Sequence, residues 1–118
     1  MPDLIFVYGT LRSEFDNPYA RYLRAEAELL GPATVEGSIF RVAHYPGYLP
    51  QPGGTVYGEV YRLRTPEKTL AALDEYEGIE YLRLSVPLSG SGVDVWIYCY
   101  AQPLPLERKI ESGDFTRL

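Results

Sequence analysis

Two short stretches of this chain hold residue types whose spacing could support chemistry. In the first, Leu70, Leu73 and Glu77 fall on one stripe at about 100° per residue, with Glu77 lying between the two leucines. Thr69 and Tyr76 flank that stripe on one side, and Asp74 sits on its other margin. Glu77 is therefore expected to face the core at a helix C-terminus, where the negative end of the helix dipole disfavours a carboxylate. Asp74, Glu75 and Glu80 add like charge nearby. Desolvation, dipole and neighbouring carboxylates all raise a glutamate pKa toward the range of a general base at neutral pH. The same spacing also fits a frayed last turn with Glu77 solvated, and spacing alone leaves both readings open.

The second stretch is Val7-Tyr8-Gly9-Thr10-Leu11-Arg12. A buried strand that stops at Gly and Thr can expose successive backbone N–H groups, which together make a concavity for an anion. A carboxylate or a developing oxyanion would suit it. Read in isolation, the six residues also fit an ordinary strand-to-loop turn.

Other chemistries lack their parts. His44 is the single histidine and no nucleophile elbow accompanies it, so a Ser-His-Asp triad is not expected. One His and one Cys cannot fill a structural zinc set, so no metal site is expected. Cys99 lies in the apolar run Trp96-Ile97-Tyr98-Cys99-Tyr100 and reads as an inert core residue. No phosphate loop or dinucleotide fingerprint occurs. The 11 tyrosines read mainly as core, strand-face or pocket-wall residues, because base stacking also requires a positive groove.

Several elements must position the two stretches. Residues 3–8 read as a buried strand ended by Gly9. Asn17-Pro18 is an N-cap followed by proline at the first helical position, and Tyr19, Tyr22, Leu23, Ala27 and Leu30 then recur at helical spacing until Gly31-Pro32. Residues 33–43 and 55–63 look extended. The segment 45–54 between them is expected to be irregular because it is rich in Pro and Gly. Thr65-Pro66 starts a second helix that Gly78 ends. Residues 80–88 and 93–101 read as two strands of a hairpin joined by Ser89-Gly90-Ser91-Gly92. The pattern predicts one α+β domain over 1–118 whose sheet is curled or closed, with Gly37 and Gly58 permitting sharp bends.

Composition narrows the setting. With 46% hydrophobic and 23% charged residues the chain is of ordinary globular make-up, and 118 residues can bury a core without disulfides. Net charge is −5, and no run of Lys or Arg exceeds Arg108-Lys109, so nucleic acid is not an expected partner. The N-terminal apolar run Leu4–Tyr8 is too short for a signal peptide or a membrane span. A single cysteine suits a reducing compartment, and a cytoplasmic location is expected.

At these stretches the sequence resembles the gamma-glutamyl cyclotransferase-like family. Val7–Arg12 resembles its YGTL-type loop, and Leu73-Asp74-Glu75-Tyr76-Glu77-Gly78 with Tyr81-Leu82-Arg83 resembles its LDxxEG and YxR block. Tyr45-Pro46-Gly47 and Ile110–Phe115 resemble its middle loop and closing segment, in the same order along the chain. The resemblance implies a small mixed β-barrel flanked by short helices. It further implies cofactor-free cyclisation of a γ-glutamyl amine or amide, which releases 5-oxoproline and a free amine. Glu77 would be the acid/base, Tyr8, Gly9, Thr10 and Leu11 the substrate-binding loop, and Tyr81 a pocket tyrosine. The loop reads YGTLR where the glutathione-pathway enzyme has YGSN, which favours γ-glutamyl amines as substrates. The alternative is a non-catalytic small-ligand binding domain of the same fold. A protein-interaction module would need an exposed apolar patch that the periodicity does not demand.

Overall fold

Strand β1 (Leu4–Val7) sets the plan of the molecule through its period-two alternation. Ile5 and Val7 face a core cluster shared with Leu23, Leu70 and Leu73 from the helices, whereas Phe6 and Tyr8 face a second cluster with Val35, Val56, Val60 and Ile97 from other strands. One strand thus divides a core under the helices from a core wrapped by the sheet. The computed structural model describes residues 2–117. Its elements are β1, α1 (Pro18–Glu26), β2 (Ala27–Glu36), β3 (Ser38–Arg41), β4 (Pro46–Leu49), β5 (Thr55–Leu63), α2 (Pro66–Glu77), β6 (Tyr81–Pro87) and β7 (Asp94–Tyr100). Short 3₁₀ turns span Gly78–Glu80 and Leu106–Arg108.

The seven strands form one mixed sheet in the order β2-β5-β1-β7-β4-β3, with β6 also paired to β7. Antiparallel ladders join β2 to β5, β5 to β1 and β6 to β7, while β7 meets both β1 and β4 in parallel. The sheet curls until its edges touch: Val35 of β2 bridges Leu88 just beyond β6, and the Ser89 N–H donates to the Thr34 carbonyl at 2.9 Å. This is the expected α+β architecture with a curled, half-closed barrel and two helices. No described helix is long and apolar enough to cross a membrane.

Two elements differ from the sequence reading. The first helix does not continue to Leu30; it ends at Glu26, and Ala27, Glu28 and Leu29 pair with Leu63, Arg62 and Tyr61 of β5. Ladder hydrogen bonds to a neighbouring strand override the helical spacing; Ala27 stays buried, while Leu29 and Leu30 are both exposed. The register shifts between Leu29 and Gly31, and β2 stops at Glu36 before Gly37, so the extended run expected over 33–43 is two strands. At Gly37 φ is +147°, a conformation side chains rarely adopt.

The stretch 45–54 is also not wholly irregular. Pro46–Leu49 is a strand paired to β3 over four residues and to β7 at Tyr48–Cys99. Tyr48 fixes it: the ring is buried, its N–H donates to the Tyr8 hydroxyl at 3.0 Å, and its own hydroxyl donates to the Glu36 carbonyl at 2.6 Å. Gly47 is needed for close packing, because a Cβ there would lie 2.9 Å from Tyr100 Cβ and from Val42 Cγ2.

The start of α1 and both ends of α2 follow their signals. Asn17 Oδ1 accepts from the Ala20 N–H at 2.9 Å, capping α1. Pro66 opens α2, and Gly78 ends it with φ of +69° and its N–H on the Asp74 carbonyl. Thr69, Leu70 and Leu73 are the buried residues of α2, and both leucines join the core under the helices.

Candidate active site

The end of β1, the end of α2 and the start of β4 converge on one cleft of about 410 Å³. Glu77 and the stretch Tyr8–Leu11 line the same cavity, although they are distant in sequence. Tyr81 lines it as well, so the structure brings all six sequence-predicted site residues together.

Glu77 is partly buried, on the cleft-facing side of the last turn of α2. Burial pushes its carboxyl up from 4.5 to about 7, and the Glu80 carboxylate adds to the shift. No donor among the described residues reaches the carboxylate. A carboxyl with that titration and no internal partner can exchange a proton with a bound molecule near neutral pH.

Asp74, one turn earlier, does not contribute in the way its position on the helix suggests. Burial raises its pKa, but hydrogen bonds from Arg83 and Tyr98 and the Arg83 charge outweigh that, so the group lies below its ordinary range. Arg83 reaches both oxygens, Nε to Oδ1 at 2.8 Å and Nη2 to Oδ2 at 3.0 Å, and the Tyr98 hydroxyl donates to Oδ1 at 2.7 Å. The guanidinium also sits over the Trp96 ring, 4.4 Å from its centroid. Asp74 is thus neutralised, and of the three acidic neighbours expected to raise the Glu77 pKa, only Glu80 does so.

The loop after β1 uses its backbone carbonyls and N–H groups differently. Among the described residues, the N–H groups of Gly9, Thr10 and Leu11 find no protein acceptor. The carbonyls are used instead: Gly9 O accepts from the Arg12 N–H at 3.0 Å, and Thr10 O accepts from Asn17 Nδ2 at 2.8 Å. Arg12 ties the loop to the C-terminal segment through Asp114 at 3.0 Å. Gly9 has a different reason from the one its position suggests. A Cβ there would lie 2.8 Å from Pro46 Cγ, so glycine lets β4 close against the loop and shape the cleft wall.

Tyr8 and Tyr81 contribute ring faces and not free hydroxyls. The Tyr8 hydroxyl donates to the Tyr98 carbonyl at 2.6 Å, and Tyr81 donates to the Pro46 carbonyl at 2.7 Å. Burial raises both phenols well above their ordinary range, with the Glu77 charge contributing. Each pins a wall of the cleft to a neighbouring strand.

Sequence reasoning missed Asn17, Tyr98 and Glu80 as lining residues. Asn17 has a double task, capping α1 through Oδ1 and holding the Thr10 carbonyl through Nδ2. A signal was present for Tyr98, which stands opposite Arg83 across the β6–β7 hairpin and so near the helix that carries Asp74. Among the described residues no group of three or more His, Cys, Asp or Glu could hold a metal ion.

The sequence matches the family described as gamma-glutamyl cyclotransferase, AIG2-like, over residues 5–117. It is 38% identical over 116 residues to the gamma-glutamylcyclotransferase family protein YtfP of Escherichia coli K12, with 94% of each chain covered. The crystal structure of PH0828 from Pyrococcus horikoshii superposes with a TM-score of 0.75 at 27% identity, covering 95% of this chain and 88% of that one. An AIG2-like protein from Mus musculus superposes with a TM-score of 0.68 at 26% identity, covering 87% and 80%.

Proposed function

The chain belongs to the gamma-glutamyl cyclotransferase, AIG2-like family, and from that premise we propose that it cyclises a γ-glutamyl amine to 5-oxoproline and a free amine. The observation that carries this reading is the pairing, in one cleft, of a carboxyl raised to about 7 with a loop of unpartnered N–H groups.

In the proposed reaction the neutral α-amino nitrogen of the substrate forms a bond to the γ-carbonyl carbon of the same molecule. The Glu77 carboxylate takes one proton from that nitrogen as the bond forms. The carbonyl oxygen gains negative charge, which the N–H groups of Gly9, Thr10 and Leu11 are suited to stabilise. The C–N bond to the leaving amine breaks, the carbonyl re-forms, and Glu77 returns the proton to the departing nitrogen. Ring closure is intramolecular, so holding the substrate bent supplies much of the acceleration. The rings of Tyr8 and Tyr81, pinned by their own hydrogen bonds, supply rigid walls for that conformer.

The test is incubation of the protein with γ-glutamyl amines and dipeptides, with 5-oxoproline detected by mass spectrometry. Formation of 5-oxoproline by the wild type, lost in Glu77→Gln, is the expected result. Binding without turnover by the wild type would replace the enzyme with a ligand-binding domain.

A further inference from the structure

The cleft is charged at two places and with one sign. Glu77 lies in its inner wall, and Glu80, on the turn that follows α2, lies on its exposed side. Among the described residues, no lysine or arginine lines it, and His44 stands exposed at the rim. The inner hydroxyls are committed elsewhere: Tyr8 to the Tyr98 carbonyl, Tyr81 to the Pro46 carbonyl and Tyr98 to Asp74. The charged groups lining the cleft are therefore Glu77, which shares it with the loop N–H groups, and the exposed Glu80, with Tyr76 and His44 adding polar side chains.

The outer end has a second feature. Tyr45 donates its hydroxyl to Glu80, at 3.2 and 3.4 Å, and packs edge-on against His44 with centroids 5.0 Å apart. Tyr76 lines the cleft and stacks on Tyr19 with centroids 4.1 Å apart. A carboxylate that meets a tyrosine hydroxyl, in a cleft also lined by Tyr45, Tyr76 and Tyr81, suits an ammonium group and repels a carboxylate. The chain's net charge of −5 acts in the same sense.

From this layout we infer that the leaving amine carries a second, distal ammonium and no carboxylate: the substrate class is the γ-glutamyl monoamide of an aliphatic diamine or polyamine, with Glu80 as the residue that sets the preference. The inference rests on the cyclotransferase reading of the same cleft. The glutamyl part occupies the loop and Glu77, and the tail runs past the tyrosines toward Glu80. Glu80 is exposed, so one such ion pair discriminates by a modest factor and is screened by salt.

The experiment compares three substrates of similar size: the γ-glutamyl 4-aminobutylamide, the neutral pentylamide and the 4-carboxybutylamide. The expected ratio of kcat/KM, cationic over neutral, is roughly two- to fivefold at low salt, with the anionic tail poorest. Glu80→Gln should bring the cationic-to-neutral ratio near one, and Glu80→Lys should move the preference toward the carboxylate tail. Taking ratios within each variant removes any effect of Glu80 on the Glu77 proton. The same three ligands are also measured by calorimetry on Glu77→Gln protein, so the order of preference is read whether or not turnover occurs. Equal handling of cationic and neutral tails, or a preference unmoved in Glu80→Gln, overturns the inference and leaves cyclisation standing. Binding in the expected order with no 5-oxoproline from the wild type keeps the ligand class and rejects the enzyme.

Discussion

Asp74 and Glu77 are carboxylates one turn apart on the same helix, and their surroundings drive them in opposite directions. Asp74 faces β6 and β7, where Arg83 grips both oxygens and Tyr98 donates a third hydrogen bond. Its charge is compensated and its pKa falls. Glu77 faces the cleft, meets no donor, and has Glu80 nearby, so its pKa climbs to about 7. Position relative to the helix dipole does not decide the matter, because both sit toward the same end of α2. What decides is which wall each side chain meets. One carboxylate clamps the helix to the sheet; the other is left free for a ligand.

The largest break in this contrast is in turnover. Glu77→Gln should lower the rate of 5-oxoproline release by about 10²–10⁴-fold, since the amide cannot accept a proton. Asp74→Asn should lower it by about tenfold or less, because it loosens the clamp without removing the base. Steady-state rates of the two variants on one substrate check the difference.

Stability should reverse the order. The folded-state pKa of Glu77 is raised, from 4.5 to about 7, so the native protein holds its proton more tightly than the unfolded chain. The stabilisation this gives is complete below about pH 4.5 and is lost as pH rises through about 7. At pH 8 Glu77→Gln should therefore be more stable than wild type by about 1–3 kcal/mol, a gap that closes toward pH 4.5. Asp74→Asn should cost about 1–2 kcal/mol at pH 8, because it leaves Arg83 without its bidentate partner. Urea denaturation at the two pH values measures both.

The contrast was half visible in the sequence. The stripe Leu70, Leu73, Glu77 placed the glutamate toward the interior, and the cap signals at Asn17-Pro18 and Gly78 marked where the helices begin and end. The opposite fates of Asp74 and Glu77 were not legible, because Arg83 and Tyr98 come from two other strands and their convergence is a matter of tertiary packing. The same reason explains β4: Gly47 makes room for Tyr100 and Val42, and the Tyr48 N–H finds the Tyr8 hydroxyl. It also explains Gly9, whose missing side chain makes room for Pro46 and not for a ligand directly. Local spacing carried the short-range elements. Contacts between distant strands had to come from the structure.

Two finer changes sharpen the account. Gly9→Ala should weaken ligand binding by roughly tenfold while the protein still folds, since the new methyl must push Pro46 out of the cleft wall. Calorimetry with a γ-glutamyl amine on the wild type and this variant reads that loss. Glu80→Gln should have the smallest effect. It removes the lesser cause of the Glu77 shift, so the rising limb of the pH–rate profile should move to lower pH by less than about one unit. An unchanged midpoint would mean that burial alone sets the proton affinity, and a raised one would contradict the assigned effect of the Glu80 charge.

The most direct measurement is the titration of the Glu77 side-chain carboxyl itself, followed by carbon-detected NMR on protein labelled at glutamate and assigned by its disappearance in Glu77→Gln. The expected result is a midpoint near 7 and a kcat/KM profile rising through the same pH. A midpoint near the ordinary 4.5, or a rate profile that ignores the Glu77 titration, would contradict it.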